Sequence, residues 1–238
     1  MVRDYTAGRL MCGRMTLTRR EWEDVLSELA AYLGGAGPLV IEEGAAALYR
    51  PRYNVAPSQH HPIVRAQTGR WKVGFSTWGL LARGRGRPPA INVRAETAPF
   101  KPAFQEAFVS RRCVVPADGF FEWQSGPGVH RPLWFHRPDG GLLLLAGLFD
   151  DEGQGRARFG VLTTGPNRLM APVHDRMPAL LSPEEAVSWL AEPSQKLLHP
   201  APEDLLVATP VSLRVNSAKN DDPDCLAPPA ASSQRSLF

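Results

Sequence analysis

Short runs of β-branched and aromatic residues are the feature that most limits how this chain can fold. They lie between residues 62 and 164 and are bounded by Gly, Pro and Asp. Runs of this composition, interrupted by turn-forming residues, are typical of strands that pair with their neighbours along the chain. We therefore predict an antiparallel, barrel-like β-rich core. The predicted strands are 62–66, 71–81, 111–123, 132–136, 142–150 and 158–164.

Helical patterns flank this core. Apolar residues recur at helical spacing within 18–33, where Thr18 and Glu21 stand at the positions of a capping box. The segment "KPAFQEAFVSRR" (101–112) predicts a short helix, and "SPEEAVSWLA" begins with Ser182 as a helix N-cap. The expected fold class is therefore α+β, with a single domain whose helices lie at the periphery.

Composition narrows the class further. A chain of 238 residues with 43% hydrophobic and 21% charged content is typical of a globular protein that buries a core. The longest apolar run, "GLLLLAGLF" at 141–149, is about half the length that a bilayer requires. Three cysteines without a CxxC motif indicate neither a disulfide framework nor a zinc site. We expect a cytoplasmic protein with no membrane association, no metal and no cofactor.

The net charge of +3, from 27 Lys and Arg against 24 Asp and Glu, does not by itself imply a nucleic-acid partner. Arginine nevertheless outnumbers lysine and clusters in "ARGRGRPP" (82–89) and at 111–112. The guanidinium group suits bidentate contacts with phosphate, although an ordinary solvated surface explains the same composition. The charge pattern leaves both interpretations open.

Polar residues alternate in the segment "INVRAET". Asn92, Arg94 and Glu96 occupy every second position, so an extended backbone would project all of them to one face. The structural alternative is that Asn92 caps a turn.

Two further ionisable residues lie in unusual surroundings. Glu122 is flanked by Phe121 and Trp123, and we expect burial among them to raise the pKa of its carboxyl group towards neutrality. His174 lies in the proline-bounded loop "APVHDRMP". The alternatives are a salt bridge between Glu122 and Arg94, and a solvated loop histidine.

The cysteines and glycines bear on two other functions, thiol-peptidase activity and nucleotide binding. Cys12 or Cys113 together with a His and a Glu suggests a thiol peptidase, but Cys113 lies in an apolar run where a cysteine is usually a small buried hydrophobe. No glycine-rich strand-to-helix phosphate loop is present in the sequence, which argues against nucleotide binding.

The order of seven motifs resembles the SRAP family, the SOS-response-associated peptidases or abasic-site processing proteins. The motifs are "MCGR", "RYNVAPSQ", "WGL", "INVRAET", "CVVPADGFFEW", "GLFD" and "VHDRMP". The resemblance implies the SRAP fold for residues 12–222, with a lead-in at 1–11 that is absent or removed in the active form. The Pro-, Ala- and Ser-rich segment 223–238 is expected to be a disordered tail.

In this family the N-terminal cysteine crosslinks to abasic sites in single-stranded DNA during the DNA damage response. The resemblance implies that Cys12 is the crosslinking residue, that Asn92 and Glu122 line its pocket, and that His174 is the acid/base residue. It also implies phosphate contacts by Arg14 and Arg94 and weaker DNA contacts by Asn54, Pro57 and Thr163. We expect the protein to act as a monomer and to be associated with the nucleoid when bound to DNA.

The chemistry requires cysteine at the N-terminus. An opened abasic site carries an aldehyde, to which an α-amine adds and on which the neighbouring thiol closes a five-membered thiazolidine. The pKa of an α-amine, about 7.7–8.0, leaves a neutral fraction at pH 7, whereas an amide nitrogen is not nucleophilic.

Two departures from the family pattern stand out. The lead-in "MVRDYTAGRL" and Met11 would acylate the nitrogen of Cys12 if they were retained. Translation from Met11 followed by methionine removal, or self-cleavage of the bond between residues 11 and 12, would expose it. The loop after "WGL" also has arginines where the family usually has a base-stacking tryptophan. The alternative functions are a non-covalent single-stranded DNA-binding module and a thiol peptidase.

Overall fold

The computed structural model describes residues 13–81, 88–126, 129–151 and 157–230. Cys12, the lead-in at 1–11, the arginines of the loop 82–87 and the last residues, 231–238, lie outside the described residues. Within the described segments, no helix is long and apolar enough to cross a membrane.

The described segments contain short strands and few helices. The strands are β1 (Met15–Leu17), β2 (Leu39–Ile41), β3 (Arg52–Val55), β4 (His60–Gln67), β5 (Arg70–Trp78), β6 (Asn92–Arg94), β7 (Arg112–Ala117), β8 (Gly119–Gly126), β9 (Val129–His136), β10 (Leu143–Asp151), β11 (Ala157–Thr164), β12 (Met177–Pro178), β13 (Leu180–Leu181) and β14 (Val207–Pro210). The α-helices are α1 (Trp22–Leu33), α2 (Ala45–Leu48), α3 (Gln105–Ser110) and α4 (Pro183–Ala191). Short 3-10 turns occupy Gly34–Ala36, Gln195–Leu197, Leu213–Asn216 and Pro223–Cys225.

A closed ring of strands forms the centre of the fold, which confirms the barrel-like core. The pairing order is β11, β10, β7, β4 and β5, and β5 pairs again with β11 through Thr77 and Trp78. This last pairing is parallel, whereas the others in the ring are antiparallel. Strand direction cannot alternate all the way around a ring with an odd number of strands, so one parallel pair is required. The predicted antiparallel β-rich core is thus confirmed, with one parallel pair at this seam.

A second sheet carries the N-terminal strand. Its order is β14, β9, β8, β1 and β3, and each pairing is antiparallel. The first described strand is therefore an interior strand, held on one side by β8 and on the other by β3. Interior strands have both rows of backbone groups paired, which fixes their position firmly.

Two large apolar clusters fill the fold. One lies beneath α1 and α4 and includes Trp22, Leu29 and Trp189. The other, here called the inner cluster, lies between the two sheets. Among its members are Met15, Ile91, Phe120, Phe135, Met170 and Met177. The rings of Phe120 and Phe135 stack with centroids 5.3 Å apart, so β8 and β9 are packed as well as hydrogen bonded.

The start of α4 is confirmed and that of α1 is corrected. The hydroxyl of Ser182 accepts a hydrogen bond from the Glu185 N–H, and the Glu185 carboxylate accepts one from the Ser182 N–H. Helix α1 begins after Glu21 rather than at Thr18. Thr18 is unavailable as a cap because its N–H and hydroxyl both donate to Asp118.

Asp118 also explains why the predicted strand 111–123 is divided. The strands β7 and β8 are separated at this residue, whose carboxylate accepts a hydrogen bond from the hydroxyl of Thr16 on β1. Asp118 is only 4% exposed. A buried carboxylate loses its hydration and needs several donors, and β1 with the segment after it supplies them.

The predicted tail begins too early. Residues Pro223–Cys225 form a 3-10 turn, and the side chain of Cys225 is completely buried. The N–H of Ser212 donates to the carbonyl of Ala227 at 2.8 Å. Apolar packing of Cys225 against Phe121 and Val215 therefore keeps this segment folded, and any tail starts after it.

His61 is a titratable group in the interior. Its ring is 1% exposed, and its Nε2 atom lies 2.7 Å from the carbonyl oxygen of Pro116. Burial lowers the pKa of His61 to about 4, with a smaller contribution in the same direction from the charge of Arg52. The histidine is thus neutral in the folded protein at neutral pH.

We predict that His61 makes folding sensitive to acid. The unfolded chain binds a proton at His61 below about pH 6.5, whereas the folded chain binds one only near pH 4. The contribution of His61 to the free energy of unfolding is therefore fully present above pH 6.5 and is lost as the pH falls towards 4. The shift corresponds to about 3 kcal/mol. The free energy of unfolding should be measured with urea at pH 7 and at pH 4. Its decrease between these pH values should be smaller in His61→Gln than in the wild type by about this amount.

The exposed neighbour His60 provides the matched control, since His60→Gln should retain the wild-type pH dependence. Identical pH dependence in His61→Gln and the wild type would contradict this prediction.

Candidate active site

The first described residues place Glu122 beside the start of β1. The N–H of Phe121 donates to the carbonyl of Arg14 at 3.0 Å, in the antiparallel register that pairs β1 with β8. Extending that register by one residue sets Gly13 opposite Glu122. Glu122 is 3% exposed and lies on the same face of β8 as Phe120 in the inner cluster. A buried carboxyl group thus adjoins the residue that follows Cys12 in the sequence.

Asn92 approaches the same point from the other sheet. A Cβ placed on Gly13 would lie 4.0 Å from Cδ1 of Ile91, so β1 starts against the residue before Asn92. The carbonyl of Ile91 accepts hydrogen bonds from Trp78 Nε1 at 2.9 Å and from the Val161 N–H at 3.0 Å. Asn92 itself opens β6 and therefore lies in a strand, not at a turn cap.

The alternation predicted for "INVRAET" is confirmed. Val93 and Ala95 are buried, whereas Asn92 is half-buried and Arg94 and Glu96 are exposed. β6 lies parallel to β11, with Thr163 paired to Arg94. Asn92 and Arg94 therefore share one face of β6, whereas Glu96 lies in the turn that follows the strand.

His174 lies in a tight turn rather than in a solvated loop. Its side chain is 13% exposed, and its N–H donates to the carbonyl of Met170 at 2.9 Å. The Nδ1 atom lies 3.1 Å from the backbone nitrogen of Arg176 and 3.0 Å from a carboxylate oxygen of Asp175. The ring is therefore oriented through Nδ1.

Asn92, Glu122 and His174 all border the inner cluster. Ile91 precedes Asn92, Phe120 shares a face of β8 with Glu122, and Met170 holds the turn of His174. Each of these three predicted residues is therefore next to a member of one apolar cluster, although the three are far apart in the sequence. Polar groups in such a setting are poorly hydrated, which favours proton transfer between them and a bound reactant.

Two predicted DNA-binding residues have internal roles. Asn54 is completely buried, and its Nδ2 atom lies within 3.1 Å of the carbonyl oxygens of Val215, Ser217 and Asn220. It supports the C-terminal segment. Thr163 is 2% exposed. Both side chains are thus engaged inside the fold, and their contact with DNA stays a prediction.

Arg14 is anchored on the same segment. Its Nη1 atom donates to Oδ1 of Asn54 at 2.9 Å and to the carbonyl of Val215 at 2.8 Å, and burial lowers the pKa of its guanidinium group. Its charge is thereby held next to the start of β1. Arg94 is exposed, and Pro57 is half-buried in the turn between β3 and β4. Arg94 and Pro57 thus present surface that a DNA strand can reach.

The pairing of Glu96 with Arg176 was not predicted from the sequence. Nη1 of Arg176 lies 2.6 Å from Oε1 of Glu96, Nη2 lies 2.8 Å from Oε2, and Nη2 also donates to the carbonyl of Thr163. The hydrogen bonds from Arg176 lower the pKa of Glu96. This bidentate pair ties the segment after β6 to the loop of His174. Glu96 belongs to the motif "INVRAET" and Arg176 to "VHDRMP". The two residues are 80 positions apart in the sequence, and no local sequence pattern indicates their contact.

Cys113 has no part in this site. It lies on β7 with no exposed surface, and burial raises the pKa of its thiol well above the usual range. A thiol held neutral in the core is a poor nucleophile. The peptidase alternative with Cys113 as nucleophile is therefore excluded.

Known proteins resemble this chain over most of its length. The family model of the SOS response associated peptidases (SRAP) matches residues 11–218. Abasic site processing protein YoqW from Bacillus subtilis is 35% identical, over 91% of this chain and 99% of that protein. Abasic site processing protein HMCES from Xenopus tropicalis is 28% identical, over 91% of this chain and 78% of that protein.

Solved structures show the same fold. A protein from Bacteroides thetaiotaomicron superposes with a TM-score of 0.75 at 24% identity, covering 91% of this chain and 99% of the other. A phage-related protein from Bordetella bronchiseptica gives a TM-score of 0.64 at 27% identity, covering 84% of this chain and 94% of the other. Family model, relatives and fold agree, and the chain belongs to the SOS response associated peptidase family.

Proposed function

We propose that this protein processes abasic sites in single-stranded DNA, and that it does so by forming a covalent thiazolidine crosslink through Cys12. The position of Gly13 carries the proposal. The antiparallel register of β1 on β8, extended past Arg14, sets Gly13 opposite Glu122. A Cβ on Gly13 would lie 4.0 Å from the side chain of Ile91, the residue before Asn92, and consecutive Cα atoms are about 3.8 Å apart. A chain that begins at Cys12 would carry its α-amine and thiol one residue away from this position. The names of the relatives, abasic site processing proteins, support the same substrate.

The proposed reaction forms one ring and releases one water molecule. The α-amine adds to the C1′ aldehyde of the opened sugar to give a carbinolamine, which loses water to give an imine. The S–H group then adds across the C=N bond, with sulfur bonding to carbon and the proton going to nitrogen. The product is a thiazolidine that contains both nucleophilic atoms of Cys12.

Proton transfers in this sequence are the proposed task of Glu122 and His174. The amine must lose a proton on addition, and the hydroxyl of the carbinolamine must gain one to leave as water. A buried carboxyl group and an oriented imidazole are suited to these steps. Asn92, fixed at the start of β6, would hold the reacting atoms in position.

Self-cleavage is the second activity that we propose to test. The thiol of Cys12 would attack the carbonyl carbon of Met11, and the C–N bond would break as the nitrogen takes a proton. Water would then hydrolyse the thioester and restore the thiol. The other route is translation from Met11 with removal of that methionine. Both routes expose the same α-amine.

We predict that crosslinking requires a free N-terminal cysteine. Protein that begins at Cys12 should give a heat-stable shifted band with abasic single-stranded DNA on a denaturing gel, whereas protein that retains residues 1–11 should give none. Intact mass must establish the N-terminus of both samples, because self-cleavage would convert the second into the first. If conversion occurs, Glu122→Ala should prevent it.

No band from protein verified to begin at Cys12 would refute covalent processing and leave a non-covalent DNA-binding module. A full band from protein verified to retain residues 1–11 would refute the thiazolidine mechanism.

We predict that His174→Ala slows both formation and reversal of the crosslink, by about a hundredfold or more. Glu122→Gln should slow formation similarly, because it keeps the shape of the side chain and removes its titration. Single-turnover rates and non-covalent affinity should be measured together. Equal losses of affinity and rate would indicate that these residues are structural.

We predict that Arg94→Ala weakens binding of all single-stranded sequences alike. Loss of one phosphate contact should lower the slope of log affinity against log salt by about 0.7. Arg70 is a matched control, since it is exposed and lies at the other end of β5 from Trp78, whose indole contacts Ile91. Equal salt dependence in Arg94→Ala and Arg70→Ala would contradict a phosphate contact at Arg94.

A further inference from the structure

One atom of His174 has two partners that require opposite protonation states. The N–H of Arg176 at 3.1 Å can bond to Nδ1 only when that atom carries a lone pair. The carboxylate of Asp175 at 3.0 Å can bond to Nδ1 only when that atom carries a hydrogen. The two contacts therefore cannot be hydrogen bonds at the same time.

The two partners differ in how firmly they are held. Arg176 is 16% exposed at its side chain and is fixed by its bidentate pair with Glu96 and by Thr163. Asp175 is 72% exposed at its side chain, so its carboxylate is free to turn towards water. The Arg176 N–H is thus a permanent feature of the loop, and the Asp175 contact is the one that adjusts to protonation.

The choice of partner decides what the other ring nitrogen can do. With Nδ1 bonded to the Arg176 N–H, the neutral ring carries its hydrogen on Nε2, which can donate but cannot accept a proton. With Nδ1–H bonded to Asp175, Nε2 can release a proton and take it back, as in a histidine oriented by a carboxylate.

The charges around the loop favour the second state when a proton is available. Besides Asp175, the charged groups that the structure ties to this segment are Arg176, which pairs with Glu96, and Arg168, whose N–H donates to Glu203. Glu96 offsets the charge of Arg176. Asp175 is the carboxylate in direct contact with the ring at Nδ1.

We propose that Asp175 is a positioning residue that selects the form of His174 able to exchange a proton at Nε2. This inference rests on the proposed function for its consequence in the reaction, but its physical basis does not require DNA. Asp175 stabilises the imidazolium and the Nδ1–H tautomer, and the Arg176 N–H stabilises the Nε2–H tautomer. His174 therefore has one state in which Nε2 can take up and release a proton, and another in which Nε2 can only donate.

NMR of the ring nitrogens of His174 in the full chain without DNA tests this directly. The signals are assigned by their loss in His174→Ala. In Asp175→Asn the midpoint of the ring titration should move to lower pH by about 0.5–1 pH unit, as expected for removal of one adjacent charge in solvent. The neutral ring should also shift towards the Nε2–H tautomer.

Asp204→Asn is the matched control, because Asp204 is exposed and outside the loop. It should leave both the midpoint and the tautomer unchanged, and Asp175→Glu should restore the wild-type behaviour in part. An unchanged midpoint and tautomer in Asp175→Asn would overturn the proposal, as would an equal change in Asp204→Asn.

Crosslinking rates separate this proposal from the proposed function. Asp175→Asn should lower the crosslinking rate several-fold. It should also shift, along the pH axis, the part of the rate profile that is absent in His174→Ala. The affinity for DNA should not change. If wild-type protein verified to begin at Cys12 forms no crosslink, the proposed function fails, whereas the NMR result still decides the role of Asp175.

Discussion

The rest of the site depends on the hydrogen bonds that fix β1 between β3 and β8. A terminal nucleophile reacts fastest when the chain that carries it is held near the reactant, whereas the ends of most domains are poorly ordered. Here the strand is interior to a sheet, and Asp118 holds it through Thr16 and Thr18. The salt bridge of Asp118 with Arg19, at 3.6 Å, extends this anchor to the start of α1. The fold thus fixes the start of the described chain, next to Cys12, the residue proposed to react.

The barrel supplies the other half of the site. Closure of β11 on β5 brings β6 alongside β11, and Ile91, the residue before Asn92, lies against Gly13. The inner cluster joins the two sheets beneath the polar rim. The ion pair of Glu96 and Arg176 then ties the loop of His174 to β6. Each polar residue of the site is therefore supported by a different element, and no single segment could form it alone.

Sequence patterns predicted the local elements better than their assembly. Strand periodicity located β4, β5, β10 and β11, and capping residues located the start of α4. The motif resemblance located Asn92, Glu122 and His174, each of which is next to a member of one apolar cluster. The parallel seam, the buried role of Asn54 and the pairing of Glu96 with Arg176 depend on contacts between distant segments. Hydrophobic periodicity carries no information on such contacts.

The composition of the covalent adduct tests the central claim most directly. Protein that begins at Cys12 is joined to an abasic oligonucleotide, digested and examined by tandem mass spectrometry. If the crosslink is a thiazolidine, the DNA is attached at Cys12 with loss of one water molecule, the adduct resists borohydride reduction, and its sulfur does not react with iodoacetamide. Attachment at a lysine, or a reducible adduct with a free thiol at Cys12, would contradict it.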